Sequence, residues 1–577
     1  MAEGKGGQRA ALAQARQKLA GLAPKQKLDA LIDSEHAQAL VRSVPAPELY
    51  YAIVEVGLQD ATDIVGLASP AQFRAFVDLG GWKRDRLDPH EVLTWLRAAH
   101  SGSEQDEFLK KLEAIDLEVI EHLLRAFVTV HDLEEDPDVN PPGVTMESPE
   151  GRYLLELHAE GVELAALRSL LGELFARNPF ETVRLLEATR WELPSELEET
   201  AFRFRTGRLG DLGFPAAQDA AAIFAWTDPE KVSRPAGAAA SASASGEASG
   251  DASRASGLVK SPSGGTRVDY AEAALRALEP TERENFEAEL VELANAALVA
   301  EVGDPGDLDA VRRTGELVRD YLNLALEHLC AGDAALAVEC VREHPARKLF
   351  QLGFSLTLQL KFAVDRLWKE PLSHVGQTWL VLSALANVLG ALRRRRPLRA
   401  LAVEGAEPVP FRSRRELDEA MKRVERARVQ VRVFRALLGG TEEAARERLL
   451  QFSEPLEVLG TERLLAAAVA QAVLDGEVRA APVPKGRVPE LFERLVGPRN
   501  AAAAGVKSKV RAETTERVHA AFAKSLGDDD AAVVEACVLG DAILARLAEE
   551  WGTQWLTEGN VGPQVAEIVP LAAEAGL

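Results

Sequence analysis

The sequence has few cysteine, methionine and aromatic residues, and it lacks the short motifs that identify common enzymes. Only three of its 577 residues are cysteine, an odd and sparse set that argues against a disulfide framework and for a reducing compartment. It contains no Walker loop, no dinucleotide-binding glycine fingerprint, no G-x-S-x-G and no H-E-x-x-H. No catalytic chemistry and no cofactor are therefore predicted from motifs.

Long apolar runs are also missing. The longest, Thr378 to Leu392, has about 15 residues, short of the roughly 20 that span a bilayer. It contains Asn387, and the first residues of the chain have no apolar core of the signal-peptide type. We therefore expect a buried core helix rather than a membrane span, and a cytoplasmic protein.

Charge and length narrow the class of protein further. The chain has 67 basic and 90 acidic residues and a net charge of −23, which argues against a general attraction to nucleic acid or anionic lipid. Hydrophobic residues make up 47% and charged residues 27%, as in globular proteins. With 577 residues the chain is too long for one core, so several domains are expected.

A short helical repeat is visible near the N-terminus. Pro47 opens the stretch PELYYAIVEVG, and 23 residues later Pro70 opens PAQFRAFVDLG. Both stretches end on glycine, at Gly57 and Gly80, and Pro89 opens a third stretch. Proline suits the first turn of a helix and glycine suits the position just past its end. Units of this kind stack on copies of themselves.

The apolar residues of the repeat recur at helical spacing. Leu49, Ile53 and Val56 share one face of the first helix, and Phe76 and Leu79 occupy that face in the next. No alternating pattern extends beyond four residues, so strands should be rare. The run from Glu107 to Val130 indicates one long helix or two short ones. The predicted fold is all-α, with a helical-repeat superhelix at the N-terminus followed by irregular helical domains.

Composition suggests five segments along the chain. We expect a polar lead-in at 1–22, a helical-repeat domain at 23–231, a second helical domain at 268–400 and a C-terminal helical region at 401–577. The segment 232–267 is rich in serine, alanine and glycine and has almost no bulky apolar group. Such a composition predicts a disordered insertion or linker.

The densest charged cluster on an apolar helix provides a candidate catalytic site. Ser195 with Glu198 three residues later indicates a capping box. In a catalytic interpretation Glu198 or Glu199 would be a general base, while Arg203 and Arg205 would clamp an anion. In the structural interpretation, which we favour, these residues form ion pairs on a helix face, and Arg205 reaches Asp211 only if the chain turns at the intervening glycines.

Four residues have the spacing and chemistry of a metal site. They follow an H-x-C…C-x3-H pattern at His328, Cys330, Cys340 and His344. Zinc accepts both ligand types, but the residues between them suggest an ordinary helical hairpin in which the cysteines are buried as small apolar groups. We therefore predict no metal.

One region is strongly basic. It begins with four consecutive arginines, Arg393, Arg394, Arg395 and Arg396, and continues to Arg435. Nucleic acid or phospholipid could bind there. Acidic residues interleave with the arginines and aromatic residues are scarce, which favours a solvated face or a surface for an acidic partner. Within this region, Ser413 with Glu416 predicts the cap of an amphipathic helix.

Three stretches resemble an uncharacterised bacterial family known only as a domain of unknown function. They are Ser43 to Leu96, ELEETAFRFRTGRLGDLGF and LFQLGFSLTLQL. The resemblance implies no activity. The proline-led unit is also distantly similar to the cytoplasmic helical domain of bacterial magnesium transporters, which implies a superhelix for residues 23–100 but not magnesium binding.

These observations favour one function class over two others. The leading prediction is a non-enzymatic protein–protein interaction or scaffold protein with an unidentified protein partner, because repeat stacks expose extended binding faces. One alternative is a helical enzyme using the Glu/Arg cluster at 198–211. The other is a nucleic-acid or membrane-surface binder using the region 393–435.

Overall fold

The computed structural model describes residues 22–235, 268–331, 333–369, 385–401, 405–498, 508–561 and 563–572. The chain divides into two compact units. Unit 1 comprises residues 1–225, 279–319 and 345–347, and unit 2 comprises residues 226–278, 320–344 and 348–577. Nearly all of the predicted lead-in and insertion lies outside the described residues, and the five-segment division stays a prediction.

Helices dominate the described part of residues 22–225. They are α1 (Pro24–Ile32), α2 (Ala37–Ser43), α3 (Ala46–Val56), α4 (Thr62–Leu67), α5 (Pro70–Gly80), α6 (Pro89–Gly102), α7 (Gln105–Glu113), α8 (Leu117–Phe127), α9 (Gly161–Arg177), α10 (Pro179–Trp191), α11 (Pro194–Asp211) and α12 (Ala217–Ala221). The short strands in the same part are β1 (Trp82–Lys83), β2 (Arg86–Leu87), β3 (Val128–Asp132), β4 (Val144–Glu147) and β5 (Tyr153–Leu157).

The described residues after the predicted insertion are helical as well. Their helices are α13 (Tyr270–Ala277), α14 (Pro280–Ala300), α15 (Leu308–Leu329), α16 (Ala337–Glu343), α17 (Ala346–Trp368), α18 (Ala386–Arg393), α19 (Arg414–Leu437), α20 (Glu442–Leu449), α21 (Leu456–Asp475), α22 (Val488–Val496), α23 (Ala512–Leu526), α24 (Asp530–Leu547) and α25 (Thr553–Glu558). The prediction of an all-α fold is confirmed.

The N-terminal repeat consists of a short helix followed by a longer one. The pair α2–α3 is followed by the pair α4–α5, and α3 packs between α1 and α5 while α4 packs between α2 and α6. Leu49, Ile53 and Phe76 are fully buried in this stack. The apolar stripe therefore faces neighbouring helices as its spacing indicates, while the superhelical path of the stack stays a prediction.

The two matching glycines of the repeat have different roles. Gly57 has a φ of 106° and ends α3, a conformation that glycine adopts without steric cost. Gly80 is instead the last residue of α5, and a Cβ atom there would lie 2.4 Å from the indole nitrogen of Trp95. The expectation that Gly80 lies just past a helix end is wrong, since Gly80 is still part of α5. The missing side chain there leaves room for the ring of Trp95.

A three-stranded antiparallel sheet, in the order β3-β5-β4, interrupts the helices. Val128 lies opposite Leu157 in its register. The expectation that helical structure continues to Val130 is therefore wrong after Phe127, where α8 ends. The residues Val-Thr-Val that follow are β-branched and pair well in strands.

The core of unit 2 is built around α21. This helix packs against α22, α23 and α24, and its segment from Leu464 to Leu474 is buried. The hydroxyl oxygen of Ser413 accepts a hydrogen bond from the backbone N–H of Glu416, so the predicted cap of α19 is confirmed. Over the residues that the structure describes, no helix combines the length and the apolar character needed to cross a bilayer.

Candidate functional site

The charged cluster lies on α11, an 18-residue helix that continues through Gly207 and Gly210. The helix begins at Pro194, and Leu193 precedes it without a side-chain cap. The predicted Ser195–Glu198 capping box is therefore wrong. The carboxylate of Glu198 instead accepts a hydrogen bond of 2.9 Å from the backbone N–H of Leu87 in β2.

Two of the proposed catalytic residues face solvent. Glu199 and Arg203 are both exposed, and within the described residues they form no ion pair with each other. The guanidinium of Arg203 lies 5.6 Å from the centre of the Phe204 ring. The structure thus places these residues on the outer face of α11, away from Arg205.

Arg205 is buried, with 3% of its surface exposed. Its Nε donates to the carbonyl oxygen of Asp78 at 2.6 Å, and its Nη1 donates to the carbonyl oxygen of Arg84 at 2.9 Å. The guanidinium also stacks 5.0 Å from the ring centre of Trp82. Because of this burial, the pKa of Arg205 is lowered, although the carboxylate of Asp304, 3.9 Å from Nη2, opposes the shift.

Arg208, one turn further along α11, binds two carboxylates. Its Nε and Nη2 donate to the two oxygens of Asp78, each at 2.7 Å, and its Nη1 and Nη2 donate to Asp116 at 3.1 and 2.6 Å. Burial opposes the charge of Arg208, but the two carboxylates outweigh it and raise its pKa. Burial raises the pKa of Asp78, and Arg208 opposes that shift.

A loop of unit 1 completes this network. The side chain of Asp304 accepts from the backbone N–H of Arg84 at 3.0 Å. The hydroxyls of Tyr50 and Tyr51 donate to the carbonyl oxygens of Gly306 and Pro305 at 3.0 and 2.9 Å. The sequence allowed Arg205 to pair with Asp211 only if the chain turned at Gly207 or Gly210. Because α11 continues through both glycines, Arg205 instead contacts α5, the β1–β2 turn and this loop. The arrangement connects distant segments, and most of its donors and acceptors have protein partners, whereas Nη2 of Arg205 and the indole nitrogen of Trp82 are buried without a hydrogen-bond partner among the described residues.

The sequence prediction missed Asp78, Asp116 and Asp304. These residues lie 130, 92 and about 100 positions from the arginines that they contact. No local spacing pattern links residues so far apart, so the only sequence signal was the concentration of arginine on α11.

The four candidate metal ligands, for which no metal was predicted, have different contacts in the structure. The Sγ atoms of Cys330 and Cys340 lie 3.6 Å apart and both residues are buried. The Nδ1 atom of His328 lies 2.7 Å from a guanidinium nitrogen of Arg414, and burial followed by that charge lowers the pKa of His328 to about 4. His344 lies 3.2 Å from the hydroxyl of Ser233. In the part of the chain that is described, no three potential ligands cluster around a metal position.

The arginine run at the end of α18 is only partly open to solvent. Arg393 lies 3.5 Å from the carboxylate of Asp365 and stacks 4.3 Å from the ring centre of Trp368. Arg394 and Arg395 are exposed. Arg396 is half-buried, and burial lowers its pKa to about 10. Three of the four arginines, Arg393, Arg394 and Arg395, are therefore exposed, and Arg393 is held by Asp365 and Trp368.

An exposed aromatic face on α10 was not anticipated. Phe180 and Trp191 are the most exposed aromatic side chains of the described residues, at 84% and 71%. The opposite face of α10 packs into unit 1 through Thr182, Leu185, Leu186 and Thr189. The helix therefore has one face in the core and one outer face that carries two large apolar side chains.

Comparison with known proteins places the sequence in a family without an assigned activity. Residues 5–570 match the model of a family described as a family of unknown function, DUF6178. No curated protein and no solved structure matches the chain. The distant similarity to the magnesium-transporter domain stays a prediction.

Proposed function

The chain belongs to this family of unknown function, and we propose from its own geometry that it is a non-enzymatic interaction protein whose unit 1 binds a helix of a partner protein. The proposed contact surface is the outer face of α10, defined by Phe180, Arg184 and Trp191. The exposure of the two aromatic side chains is the observation that carries the proposal. Aromatic side chains that become buried when a partner binds are typical anchors of protein interfaces.

Helical geometry puts the two anchors on one face. Phe180, Arg184, Glu187 and Trp191 follow the spacing i, i+4, i+7 and i+11, which keeps residues on one side of an α-helix. With a rise of 1.5 Å per residue, the Cα atoms of the two anchors are about 16 Å apart along the axis. A partner helix lying along α10 could therefore contact both anchors at once.

Trp191 is oriented before any partner binds. Its indole Nε1 donates to the carboxylate of Glu187 at 3.2 Å, and the guanidinium of Arg190 lies 5.2 Å from its ring centre. Arg190 is itself anchored by the carboxylate of Glu135 at 2.8 Å. A side chain that is already ordered loses less conformational entropy on binding.

Charge near the anchors indicates the chemistry of the partner. Glu181 follows Phe180 and Glu192 follows Trp191, and both carboxylates are exposed. The whole chain has a net charge of −23. Opposite charges speed association and disfavour wrong partners. The proposed partner is therefore an amphipathic helix with an apolar stripe flanked by lysine or arginine.

Site-specific photo-crosslinking tests this proposal. A benzoylphenylalanine at position 184 of the full chain should crosslink to a partner in native lysate, and mass spectrometry should locate the crosslink in an amphipathic segment with basic flanks. The same probe at the exposed Val291 of α14 is the control position and should not capture that protein.

A second arm tests the anchors themselves. Phe180→Glu with Trp191→Glu should abolish the crosslink at position 184 while leaving thermal unfolding unchanged, because both side chains are exposed. The matched variant Val534→Glu replaces another exposed apolar residue and should retain it. A crosslink to a segment without an apolar stripe, or one that survives the double anchor variant, would overturn the proposal.

The two alternative functions have less support. The enzyme hypothesis requires Glu198 or Glu199 to converge with an unpaired arginine, whereas Glu198 binds a backbone N–H and Arg205 binds two carbonyl oxygens. The surface-binder hypothesis predicts salt-dependent retention on heparin that Arg394→Glu with Arg395→Glu abolishes. Both alternatives, the cytoplasmic location and the absence of a cofactor stay predictions.

A further inference from the structure

Unit 2 contains two neighbouring thiols, Cys330 and Cys340, that the proposed interaction surface does not use. Their Sγ atoms lie 3.6 Å apart, and neither side chain is exposed to solvent. Both residues are free cysteines. Because the S–S bond of a disulfide is about 2.05 Å long, the sulfurs need to approach each other by only about 1.5 Å to form one. The pair is therefore reduced, with its sulfurs close to bonding distance.

The two cysteines connect the end of a long helix with a short one. Cys330 directly follows α15, and Cys340 lies in α16, which has seven residues. Between them, the backbone N–H of Asp333 donates to the carbonyl oxygen of Cys330 at 3.0 Å, and the side chain of Asp333 caps the helical turn at Ala334–Leu336. The cysteines are ten positions apart, so a disulfide would close a small local loop.

The segment between the cysteines forms a thin cover over the thiols. Asp333, Ala335 and Glu339 are exposed. Ala331, next to Cys330, has a φ of 49°, a left-handed conformation that is unfavourable for alanine. Strained backbone of this kind is frequent in switch segments, and short elements at a surface open locally at low cost in free energy. A small reagent can therefore reach the sulfurs without unfolding unit 2.

The contact between the sulfurs makes the two thiols unequal. The hydrogen bond from Cys330 lowers the pKa of Cys340, although burial and the carboxylates of Glu343 and Glu339 oppose this shift. The same hydrogen bond, followed by burial, raises the pKa of Cys330. Because the thiolate is the reactive form of cysteine, Cys340 should react first and Cys330 second.

The surroundings of the pair select the oxidant. Asp333, Glu339 and Glu343 are exposed acidic residues close to the pair in sequence, and each carboxylate acts on the pKa of at least one of the two thiols. Oxidised glutathione is anionic and bulky, so these carboxylates repel it and the buried sulfurs are out of its reach. Hydrogen peroxide is small and neutral. The surroundings therefore favour a peroxide over a disulfide reagent.

We propose that Cys330 and Cys340 are a modification site that hydrogen peroxide oxidises to a disulfide. The thiolate of Cys340 attacks one peroxide oxygen, the O–O bond breaks, and Cys340 becomes a sulfenic acid as the first water forms. The thiol of Cys330 then attacks the sulfenic sulfur, the S–S bond forms, and the second water leaves. The two thiols lose two electrons and two protons, and one peroxide takes up both to become two waters.

A site of this kind agrees with the sparse cysteine content of the chain. In reducing compartments disulfides are typically transient and often sense oxidants. A dithiol reductant would restore the two thiols by exchange and would itself become a disulfide. The proposal does not depend on the function of the α10 face, since that face lies in unit 1.

Peptide mass spectrometry of the full chain after treatment with hydrogen peroxide tests the proposal. Trypsin leaves both cysteines on one peptide, residues 320–342, because no lysine or arginine lies between Arg319 and Arg342. After oxidation and alkylation in denaturant, this peptide should be lighter than the reduced peptide by two hydrogen atoms and should carry no alkyl group. Dithiothreitol should restore alkylation of both cysteines. A peptide that stays fully alkylated after peroxide treatment, or that carries a sulfinic acid instead of a disulfide, would refute the proposal.

Two variants and a second oxidant define the site. Cys330→Ser should stop at a sulfenic acid on Cys340 that dimedone traps, whereas Cys537→Ser, at a half-buried position of α24, is the matched control and should form the disulfide as the wild type does. Thermal unfolding checks that each variant is folded, and Cys330→Ala replaces Cys330→Ser if the buried hydroxyl destabilises unit 2. A disulfide that involves Cys537 would contradict the assignment.

Oxidised glutathione at the same concentration should leave both thiols of the wild type open to alkylation in denaturant. A disulfide that forms with oxidised glutathione but not with peroxide would overturn the choice of oxidant.

Discussion

The buried arginines of unit 1 are stabilised by hydrogen-bond partners that differ in number and position from one arginine to the next. Arg205 and Arg208 are one turn apart on α11, yet the first binds mainly backbone carbonyl oxygens and the second binds two carboxylates. Breaking a buried pair costs more than never having it, because the remaining charge is left without a partner. Substitutions at these sites should therefore affect stability more than substitutions of the exposed residues on the same helix.

Replacing Arg208 by methionine should destabilise unit 1 by about 3–5 kcal/mol, because the carboxylate of Asp78 would remain buried without its arginine. The double variant Asp78→Leu with Arg208→Met should recover much of this loss. Urea unfolding measures the free energy of unfolding of the single and the double variant. Arg203→Met, at an exposed position of α11, is the control. Equal effects of Arg203→Met and Arg208→Met would contradict this account.

Glu121 should make the stability of unit 1 depend on pH. It is 5% exposed on α8, and burial, followed by the charges of Glu192 and Glu118, raises its pKa to about 7. The folded state therefore binds the proton more tightly than the unfolded state, so the free energy of unfolding should fall as the pH rises from about 4.5 to 7.

The variant Glu121→Gln removes this ionisation. At pH 8 it should be more stable than the wild type by about 1–3 kcal/mol, and at pH 4 the two should be equal. Denaturant unfolding at both pH values provides the measurement, and Glu196→Gln, at an exposed position of α11, should have little effect at either pH. A difference that is the same at pH 4 and pH 8 would argue against ionisation as the cause.

At the scale of secondary-structure elements, glycine residues allow some pairs of helices to pack closely. A Cβ atom on Gly66 of α4 would lie 1.7 Å from the carbonyl oxygen of Gly102 in α6. A Cβ atom on Gly353 of α17 would likewise lie 1.9 Å from the carbonyl oxygen of Tyr321. Both glycines allow two backbones to approach closely.

Gly66→Ala should lower the free energy of unfolding of unit 1 by about 1–3 kcal/mol, because α4 and α6 would have to separate. Gly172→Ala is the matched change in the interior of α9, where a Cβ atom meets nothing within 4 Å. It should stabilise the protein by about 0.5–1 kcal/mol through helix propensity. Thermal and urea unfolding measure the change in stability of each variant. If both variants were destabilised, or both stabilised, the close-packing explanation would be excluded.

At the scale of the whole molecule, each of the two units is formed by three segments that are separate in the sequence. Residues 279–319 belong to unit 1 together with residues 1–225. Leu298 and Ala310 join the same hydrophobic core as the N-terminal repeat. The contacts of Tyr50 and Tyr51 with the loop at 305–306 also come from this later segment.

A fragment ending at residue 231 should therefore be less stable than one ending at residue 319, by about 3 kcal/mol or more, since it loses several hydrogen bonds and part of a core. Burial raises the pKa of Tyr50 and Tyr51 above the ordinary tyrosine value. Absorbance titration at alkaline pH should show these hydroxyls ionising at a lower pH in the shorter fragment than in the longer one. Identical titration curves would contradict a shared unit.

Signals contained within one element predicted that element well. Pro70 and Pro89 each begin a helix, and Ser413 caps one. A proline, a cap or an apolar stripe acts through neighbours along the chain, so its effect is visible in the sequence. The strand at Val128 was missed because its partner, β5, begins about 20 residues after β3 ends, although its β-branched residues were a usable signal.

The sequence by itself determined the helical class, the starts of the proline-led helices and the residues that face the core of the repeat. Tertiary structure alone decided that Arg208 binds Asp78 and Asp116, that His328 contacts Arg414 and His344 contacts Ser233, and that α10 leaves an aromatic face exposed. The physical reason is range: helix formation depends on residues within a few positions of one another, whereas burial and ion pairing depend on segments that only folding brings together.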